Sequence, residues 1–597
     1  MTSKEIRDVG FLSWKDPDAW MESMRGKRWN DLVTEENDRL HDILKEYTTP
    51  ERIQKFKEEI IDAYKYYDLE CFESGPIKIT PLGTFSLKWR FDGETTFTNA
   101  TDVFSDGKYV VYTHDIGKGA EKYEVVCLDV ETREVKFRKS PVGPNFSLDG
   151  NRLYYLGVKQ KLWYNELFVC DIKTGHNVHS LYEEKDGHYN LSLIRQTYLV
   201  RENCGKTDTF HVASNNTLTH LKPGSERQYP SHIYVNKCYY RMPGEDKYKF
   251  IDNNNLEGTP FATNSQHILT HKMGETFVYN HFGGIEFHIP QGTIMLDTYG
   301  DGIDMRVDDG TKPPYILTLG KKIRPIEGFK LKTKKIEAKS SDGTIVHGTI
   351  LYKGSLTKPK ALLGVGYGAY GIPSSLAGCY GKWVSLIERG WGILYTYIRG
   401  GGDDSDAWAN SGRLGGRTHT RDDFLALVET AQKNFKIPST KTVIYGRSAG
   451  GFLMGMCLNK EPTGKLFAAV YTEVPYVDIL RTTTNKDLPL TKMEYNEFGD
   501  PSHRPEDFGF LVDLSPADVA ITTEAPNVFV LARTGLNDSE VYAYEPVKWI
   551  RRLRKPGDKK QKVIGIARDE GHFYSANVAS QAKAEDLAIL HTMIFPP

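Results

Sequence analysis

A serine framed by glycines, Gly446-Arg447-Ser448-Ala449-Gly450-Gly451, sits between two runs of opposite character. Before it come the β-branched and aromatic residues Thr442, Val443, Ile444 and Tyr445; after it come Phe452, Leu453, Met456 and Cys457 at helical spacing. Strand, sharp turn, helix with a serine at the apex is the Gly-x-Ser-x-Gly elbow, which lifts a hydroxyl above the carboxyl edge of a sheet. A serine hydroxyl is a weak nucleophile until a histidine accepts its proton and a carboxylate orients that histidine. The chemistry expected is acyl transfer through Ser448.

In sheets of this kind the acid and the base follow the serine in that order, each on a loop after a later strand. The run Val528-Phe529-Val530-Leu531-Ala532 reads as a strand, and the loop Gly535-Leu536-Asn537-Asp538-Ser539 after it offers Asp538. The next strand, Val563-Ile564-Gly565-Ile566-Ala567, leads into Asp569-Glu570-Gly571-His572-Phe573, which offers His572 as base and Asp569 as a rival acid. Asp538 is preferred because a separate loop is the better source of the orienting carboxylate. A tetrahedral intermediate also needs preorganised donors. The N–H of Ala449 is one; the turn Gly366-Tyr367-Gly368-Ala369-Tyr370-Gly371, with its tyrosine hydroxyl, is the expected source of the second.

These residues must be positioned by a larger framework. After Lys353, apolar runs (361–365, 392–397, 442–445, 468–471, 528–532, 563–566) alternate with helical stretches such as Asp422 to Lys433. That alternation predicts a doubly wound, mostly parallel α/β-hydrolase sheet over residues 329–597. Residues 1–75 read as helical, with Arg28 to Leu44 and Pro50 to Tyr67 charge-rich and apolar at every third or fourth position. Between them, residues 76–328 consist of short alternating strands and tight turns. This middle region repeats: Phe104-Ser105-Asp106-Gly107 before Tyr109-Val110-Val111-Tyr112 returns, about 43 residues on, as Phe146-Ser147-Leu148-Asp149-Gly150 before Leu153-Tyr154-Tyr155. In both, a second strand ends in aspartate, at Asp129 and Asp171. Weaker echoes fall at Tyr198–Val200, Ile233–Tyr240, Ile268–Tyr279 and Ile294–Val307. A repeating four-stranded meander closes best as a β-propeller, here of roughly six to seven blades, with a tandem of β-sandwiches as the alternative.

Composition narrows the function. A net charge of −1 over 597 residues gives no electrostatic case for nucleic acid or an anionic membrane. Alternating Lys330, Lys332 and Lys334, with Lys335, reads as the wet face of a strand. Seven scattered cysteines lack disulfide or metal spacing, and the polar N-terminus leads into no apolar run, so a cytoplasmic location is expected. Gly381-Lys382-Trp383 lacks the Ser/Thr of a phosphate loop and Arg399-Gly400-Gly401-Gly402 lacks a dinucleotide pattern, so no cofactor and no metal is expected.

At this point the motifs resemble the prolyl oligopeptidase family of serine peptidases, and within it the oligopeptidase B branch. The resemblance rests on Asp16-Pro17-Asp18-Ala19-Trp20, the Gly366–Gly371 turn, Ile398–Gly402, Gly446–Gly455, Val474-Pro475-Tyr476-Val477-Asp478, Glu494–Pro501, Gly535–Asp538 and Gly571-His572-Phe573. It implies a hydrolase domain made of both chain ends, with a propeller that covers the active site and admits only short, unstructured peptides. It also implies a Ser448–Asp538–His572 triad, an oxyanion hole of Tyr367 and the Ala449 N–H, and a monomer or small homo-oligomer. By the same resemblance Glu494 receives the arginine or lysine before the cut, with Asn496, Phe498, Tyr370, Glu540 and Val541 as further substrate contacts. A carboxylate at Glu494 suits a cation better than a proline ring, since a buried unpaired charge is costly. The chain departs from the pattern at Ser375, Ala377 and Asn496, which replace acidic residues, and at Glu540, where the family often carries an arginine. The reading is therefore a serine oligopeptidase cleaving after Arg or Lys. Post-proline cleavage, an esterase and a catalytically dead, propeller-based peptide-binding protein are the alternatives.

Overall fold

The computed structural model describes residues 6–8, 13–67, 72–83, 86–117, 119–160, 162–174, 178–194, 198–203, 207–213, 216–220, 239–240, 249–250, 259–263, 267–280, 285–289, 293–296, 304–318 and 328–596. They form two compact units. One comprises residues 1–64, 329–491 and 495–597; the other comprises 65–328 with Lys492, Met493 and Glu494. The first segment of the first unit ends at residue 64, and strand pairing in the second begins at Phe72–Ser74.

The first unit is an α/β-hydrolase domain around an eight-stranded sheet. Its strands are β1 (Leu331–Lys339), β2 (Ile345–Lys353), β3 (Ala361–Val365), β4 (Trp391–Tyr397), β5 (Thr442–Arg447), β6 (Ala469–Glu473), β7 (Phe529–Gly535) and β8 (Lys562–Ala567). They lie in the order β1-β2-β4-β3-β5-β6-β7-β8, parallel from β4 onward. The interior strands read as unbroken apolar runs because successive side chains enter two different cores. Val443, Tyr445, Leu363, Tyr471 and Leu531 face one; Ile444, Leu362, Val470, Val530 and Ile564 face the other.

Helices cover both faces. On the first pack α2 (Pro50–Tyr64), α3 (Cys379–Ile387) and α7 (Ala576–Ile594); on the second pack α4 (Arg417–Phe435), α5 (Ala449–Lys460) and α6 (Tyr544–Leu553). Another helix, α1 (Lys27–Tyr47), closes the β8 edge. Asn37 donates to Ile566 O (3.0 Å) and accepts from Ile566 N–H (2.8 Å), so a side-chain amide satisfies backbone groups that an edge strand leaves open. At the opposite edge, Lys332, Lys334 and Lys335 are exposed on β1, and Leu331, Ile336 and Ala338 are buried.

The Asp-Pro-Asp-Ala-Trp segment is an ionic anchor. Lys548 on α6, completely buried, binds Asp16 (2.9 Å), Glu22 (3.2 Å) and Asp478 (2.8 Å), and Arg552 one turn on pairs with Asp16 and Asp18. Such a charge is tolerated inside because three carboxylates surround it.

The second unit is a β-propeller of short antiparallel sheets. A seven-stranded sheet over Asp102–Glu183 contains two blades joined through one long strand, Val135–Asp149. The first half of that strand pairs back with Tyr123–Asp129 and the second half forward with Arg152–Gln160, the register breaking between Lys139 and Phe146. Counting it as two, seven sheets follow one another along the described residues. Later sheets, such as Thr259–Ile289, are shorter than the repeat read from the first two. The repeated turn residues explain the periodicity. Asp106 accepts from the N–H groups of Lys108 and Tyr109, while Asp129 and Asp171 cap the turns that end their strands. Of the weak echoes, Ile233–Cys238 lies outside the described residues, as do Cys71, Cys204 and Cys238. Cys127, Cys170, Cys379 and Cys457 are buried and outside any disulfide. No described helix is long and apolar enough to cross a membrane.

Candidate active site

The end of β5 forces Ser448 into φ 54°, ψ −122°, a conformation costly for a residue with a Cβ. Three backbone hydrogen bonds hold it there. Ser448 N–H donates to Glu473 O (3.0 Å), and Ser448 O accepts from the N–H groups of Gly451 (2.7 Å) and Tyr476 (3.1 Å). The flanking glycines are steric necessities. A Cβ on Gly446 would lie 2.1 Å from Gly450 O, and one on Gly450 would lie 2.7 Å from Gly366 O and 3.4 Å from Tyr367 Cδ2. The elbow therefore packs directly on the turn that carries Tyr367. Ala449 opens α5, and first-turn N–H groups have no partner inside a helix, so its N–H is suited to an oxyanion.

The Tyr367 turn is braced from below. Glu497, fully buried, accepts the Tyr370 N–H (2.6 Å), binds Arg413 (2.8 Å) and pairs with Arg417. Arg417 also donates to Gly368 O (2.6 Å). The Arg-Gly-Gly-Gly run supplies a surface with no side chains: a Cβ on Gly400 would lie 2.2 Å from Gly368 O. Phe498 is buried against Tyr370, Phe452 and Tyr476 with ring centroids 5.6, 6.0 and 5.1 Å apart.

Asp538 and His572, 34 residues apart in sequence, meet at the carboxyl ends of β7 and β8, with His572 Nδ1 2.8 Å from Asp538 Oδ2. The other carboxylate oxygen accepts from the N–H groups of Glu540 (3.0 Å) and Val541 (2.8 Å). Three donors thus fix Asp538, and its bond to Nδ1 orients the ring so that Nε2 is the working nitrogen. Asp569, the rival acid, is exposed. Glu570 instead shapes the loop by accepting from the N–H and hydroxyl of Ser575 (both 2.6 Å). Arg447, beside the serine, donates to His572 O and lies 4.6 Å above the Phe573 ring, tying elbow to base loop.

One contact differs from a working triad. Among the described residues no hydrogen bond joins Ser448 Oγ to His572; the neighbour of Nε2 is Glu540 Oε2, at 3.4 Å. Val541 is buried. Asn496 is exposed on the one-turn helix Tyr495–Phe498. Glu494 is buried and belongs to the second compact unit, not to the domain that carries Ser448.

Sequence reasoning missed Glu497, Arg413, Arg417 and Arg447. It also missed Glu473, which accepts from the hydroxyls of Tyr445 (2.8 Å) and Tyr471 (2.5 Å) and pairs with Lys583 on α7. Lys583 outweighs the cost of burying Glu473 and holds its carboxyl down at about 2. The available signal was adjacency: Glu497 lies inside the quoted Glu494–Pro501 motif and Arg447 beside the nucleophile.

The pattern of the prolyl oligopeptidase family matches residues 381–590, the stretch that contains the elbow, Asp538 and His572. Residues 381–590 are thus similar to the prolyl oligopeptidase family. Among relatives in that family, Protease 2 of Moraxella lacunata is 31% identical over 259 residues, 42% of this chain and 36% of the relative. Dipeptidyl aminopeptidase BI of Pseudoxanthomonas mexicana is 32% identical over 249 residues, 41% of this chain and 34% of the relative. The matched stretches thus span about a third of the length of these relatives. The fold extends further. Oligopeptidase B from Leishmania major superposes with a TM-score of 0.77 at 18% identity, covering 98% of this chain and 94% of that one. A chain from a study of two prolyl endopeptidases gives 0.81 at 16% identity over 99% and 98%.

Proposed function

We propose that the protein is a serine oligopeptidase that hydrolyses short, unstructured peptides after arginine or lysine. The observation that carries the hydrolase part is the buried Asp538–His572 pair on the same sheet edge as a strained serine elbow. In this reading Ser448 attacks the scissile carbonyl and His572 Nε2 takes its proton, then gives it to the leaving amine. Asp538 stabilises the imidazolium that forms, and the Ala449 N–H and Tyr367 hydroxyl receive the oxyanion. A water molecule, deprotonated by His572, then attacks the acyl-enzyme; the ester bond breaks, Ser448 recovers its proton and the peptide acid leaves. Glu494, with Asn496, Phe498, Tyr370, Glu540 and Val541 as further contacts, is the proposed acceptor of the basic side chain. The buried thiols of Cys127, Cys170 and Cys457, none in a disulfide, suit a reducing cytoplasmic setting.

Ser448→Ala is expected to abolish both turnover and fluorophosphonate labelling; retained hydrolysis in that variant overturns the nucleophile. Fluorogenic peptides ending in Arg and in Pro decide specificity. Faster cleavage after Pro would replace the basic reading with a post-proline one, and Glu494→Gln should otherwise harm only basic substrates.

A further inference from the structure

Two cations near the nucleophile have no carboxylate to answer them. Arg447, half-buried, donates to His572 O with its guanidinium 4.6 Å over the Phe573 ring, and among the described residues it makes no ion pair. Lys382 on α3, from the Gly-Lys-Trp run that fitted no phosphate loop, makes none among them either. A carboxylate within electrostatic reach of both, Glu473, is already committed: Lys583 pairs with it, and the hydroxyls of Tyr445 and Tyr471 donate to it. Lys583 is itself enclosed by the rings of Trp383, Tyr445 and Tyr471, 4.6, 5.1 and 5.1 Å from its nitrogen. Glu585 and Asp586, further along α7, are bound by Arg533 (2.8 and 2.7 Å). Lys382 keeps an exposed surface, yet the surrounding protein and the like charges of Lys583 and Arg447 hold its ammonium below its usual pKa. Like charges gathered without a counter-ion are an arrangement that an anionic ligand relieves.

Their place identifies the anion. The leaving amine takes its proton from His572, so the departing fragment lies along the base loop that Arg447 touches. A short fragment ends in a carboxylate, and a planar guanidinium matches that group with two parallel N–H donors. We propose that Arg447 and Lys382 bind the C-terminal carboxylate of the leaving fragment, making the enzyme a trimmer of one or two residues from the carboxyl end of short peptides. An extended chain advances about 3.3–3.6 Å per residue, and Arg447 adjoins Ser448, so a longer fragment carries its carboxylate past the guanidinium. Lys382 adds a point charge to the same site.

This rests on the serine oligopeptidase reading, and the test separates the two. The full-length protein is given acetyl-Phe-Arg-Ala-Ala as the free acid and as the C-terminal amide, with a matching Pro-for-Arg pair for a post-proline cut. The parent is expected to cleave the acid with a kcat/KM on the order of tenfold above the amide, the scale of one charge-assisted hydrogen bond. Lys382→Met and Arg447→Met are each expected to bring that ratio close to one. Arg447→Met also loses its hold on His572 O and slows both peptides alike, which the ratio cancels. Equal cleavage of acid and amide by the parent, or a ratio that either variant leaves unchanged, overturns the carboxylate site. So does an amide with Asp as its last residue cleaved as fast as the free acid, which would assign the site to side-chain carboxylates. Lengthening the leaving fragment beyond two residues should erase the advantage of the acid, and an advantage that persists overturns the trimming activity. Fluorophosphonate labelling of the parent in the same samples distinguishes the failures. Labelling without a preference for the acid removes only the carboxylate site, and absence of labelling removes the hydrolase reading beneath it.

Discussion

Gly450→Ala tests the idea that elbow and oxyanion turn are set by one van der Waals contact. The added Cβ would lie 2.7 Å from Gly366 O, where ordinary contact begins at 3.4 Å. Both sides of the clash are backbone, so neither can rotate away, and the gap must open by about 0.7 Å, the difference between those distances. Gly366 precedes Tyr367, so the displacement is delivered to the proposed oxyanion donor. A hydrogen bond near 2.9 Å stretched by that amount passes the outer limit of useful geometry. Loss of one oxyanion donor costs on the order of 10²–10³ in kcat. Gly450 lies in the first turn of α5, where alanine is otherwise favourable for the helix, so the fold is expected to survive. The assay is steady-state hydrolysis of a fluorogenic Arg peptide, with thermal unfolding alongside. A kcat within threefold of the parent, with the variant folded, would refute the coupling of elbow to turn.

Three further outcomes follow from other contacts. Tyr367→Phe should lower kcat by about 10² with little change in KM, and an unchanged kcat would remove its hydroxyl from the oxyanion hole. Glu497→Gln leaves Arg413 and Arg417 buried without their counter-charge and should cost about 3–5 kcal/mol in denaturant unfolding, whereas a loss under 1 kcal/mol would mean that the pair is solvated. Burial, reinforced by Asp478, pushes the Glu545 carboxyl up to about 8, above its unfolded value, so its contribution to stability is full in acid and lost as pH rises through that value. The unfolding midpoint of Glu545→Gln relative to the parent should therefore climb from about pH 5 to about pH 9, and a flat difference would refute the burial argument.

The hydrolase sheet was legible because burial on both faces writes strands as apolar runs. The segments 361–365 and 442–445 anticipated β3 and β5 to within two residues. The propeller was legible only where its turn aspartates repeat. Its blade junction was hidden because Val135–Asp149 serves two sheets in one strand, which no period reveals. The boundary near residue 65 was also hidden, since the strands that follow are only three to seven residues long and carry no strong alternation.

At the site, legibility tracked the kind of constraint. Ser448, Asp538 and His572 could be read as candidates because chemistry demands those side chains in that order after successive strands. Glu497 and Lys583 were not, because a charge that braces a turn from beneath has no required sequence offset; only tertiary packing brings Glu497 to Arg413 and Arg417, and Lys583 to Glu473. Glu540 falls between these cases. Its identity was visible as a departure from the arginine common in the resembling family, but its partner was not. A reading confined to substrate contacts gives Glu540 one role, attraction of a cation. The 3.4 Å approach to Nε2 also puts this carboxylate beside the His572 ring. That contact exists only because β7 and β8 end side by side, an adjacency that no sequence offset displays.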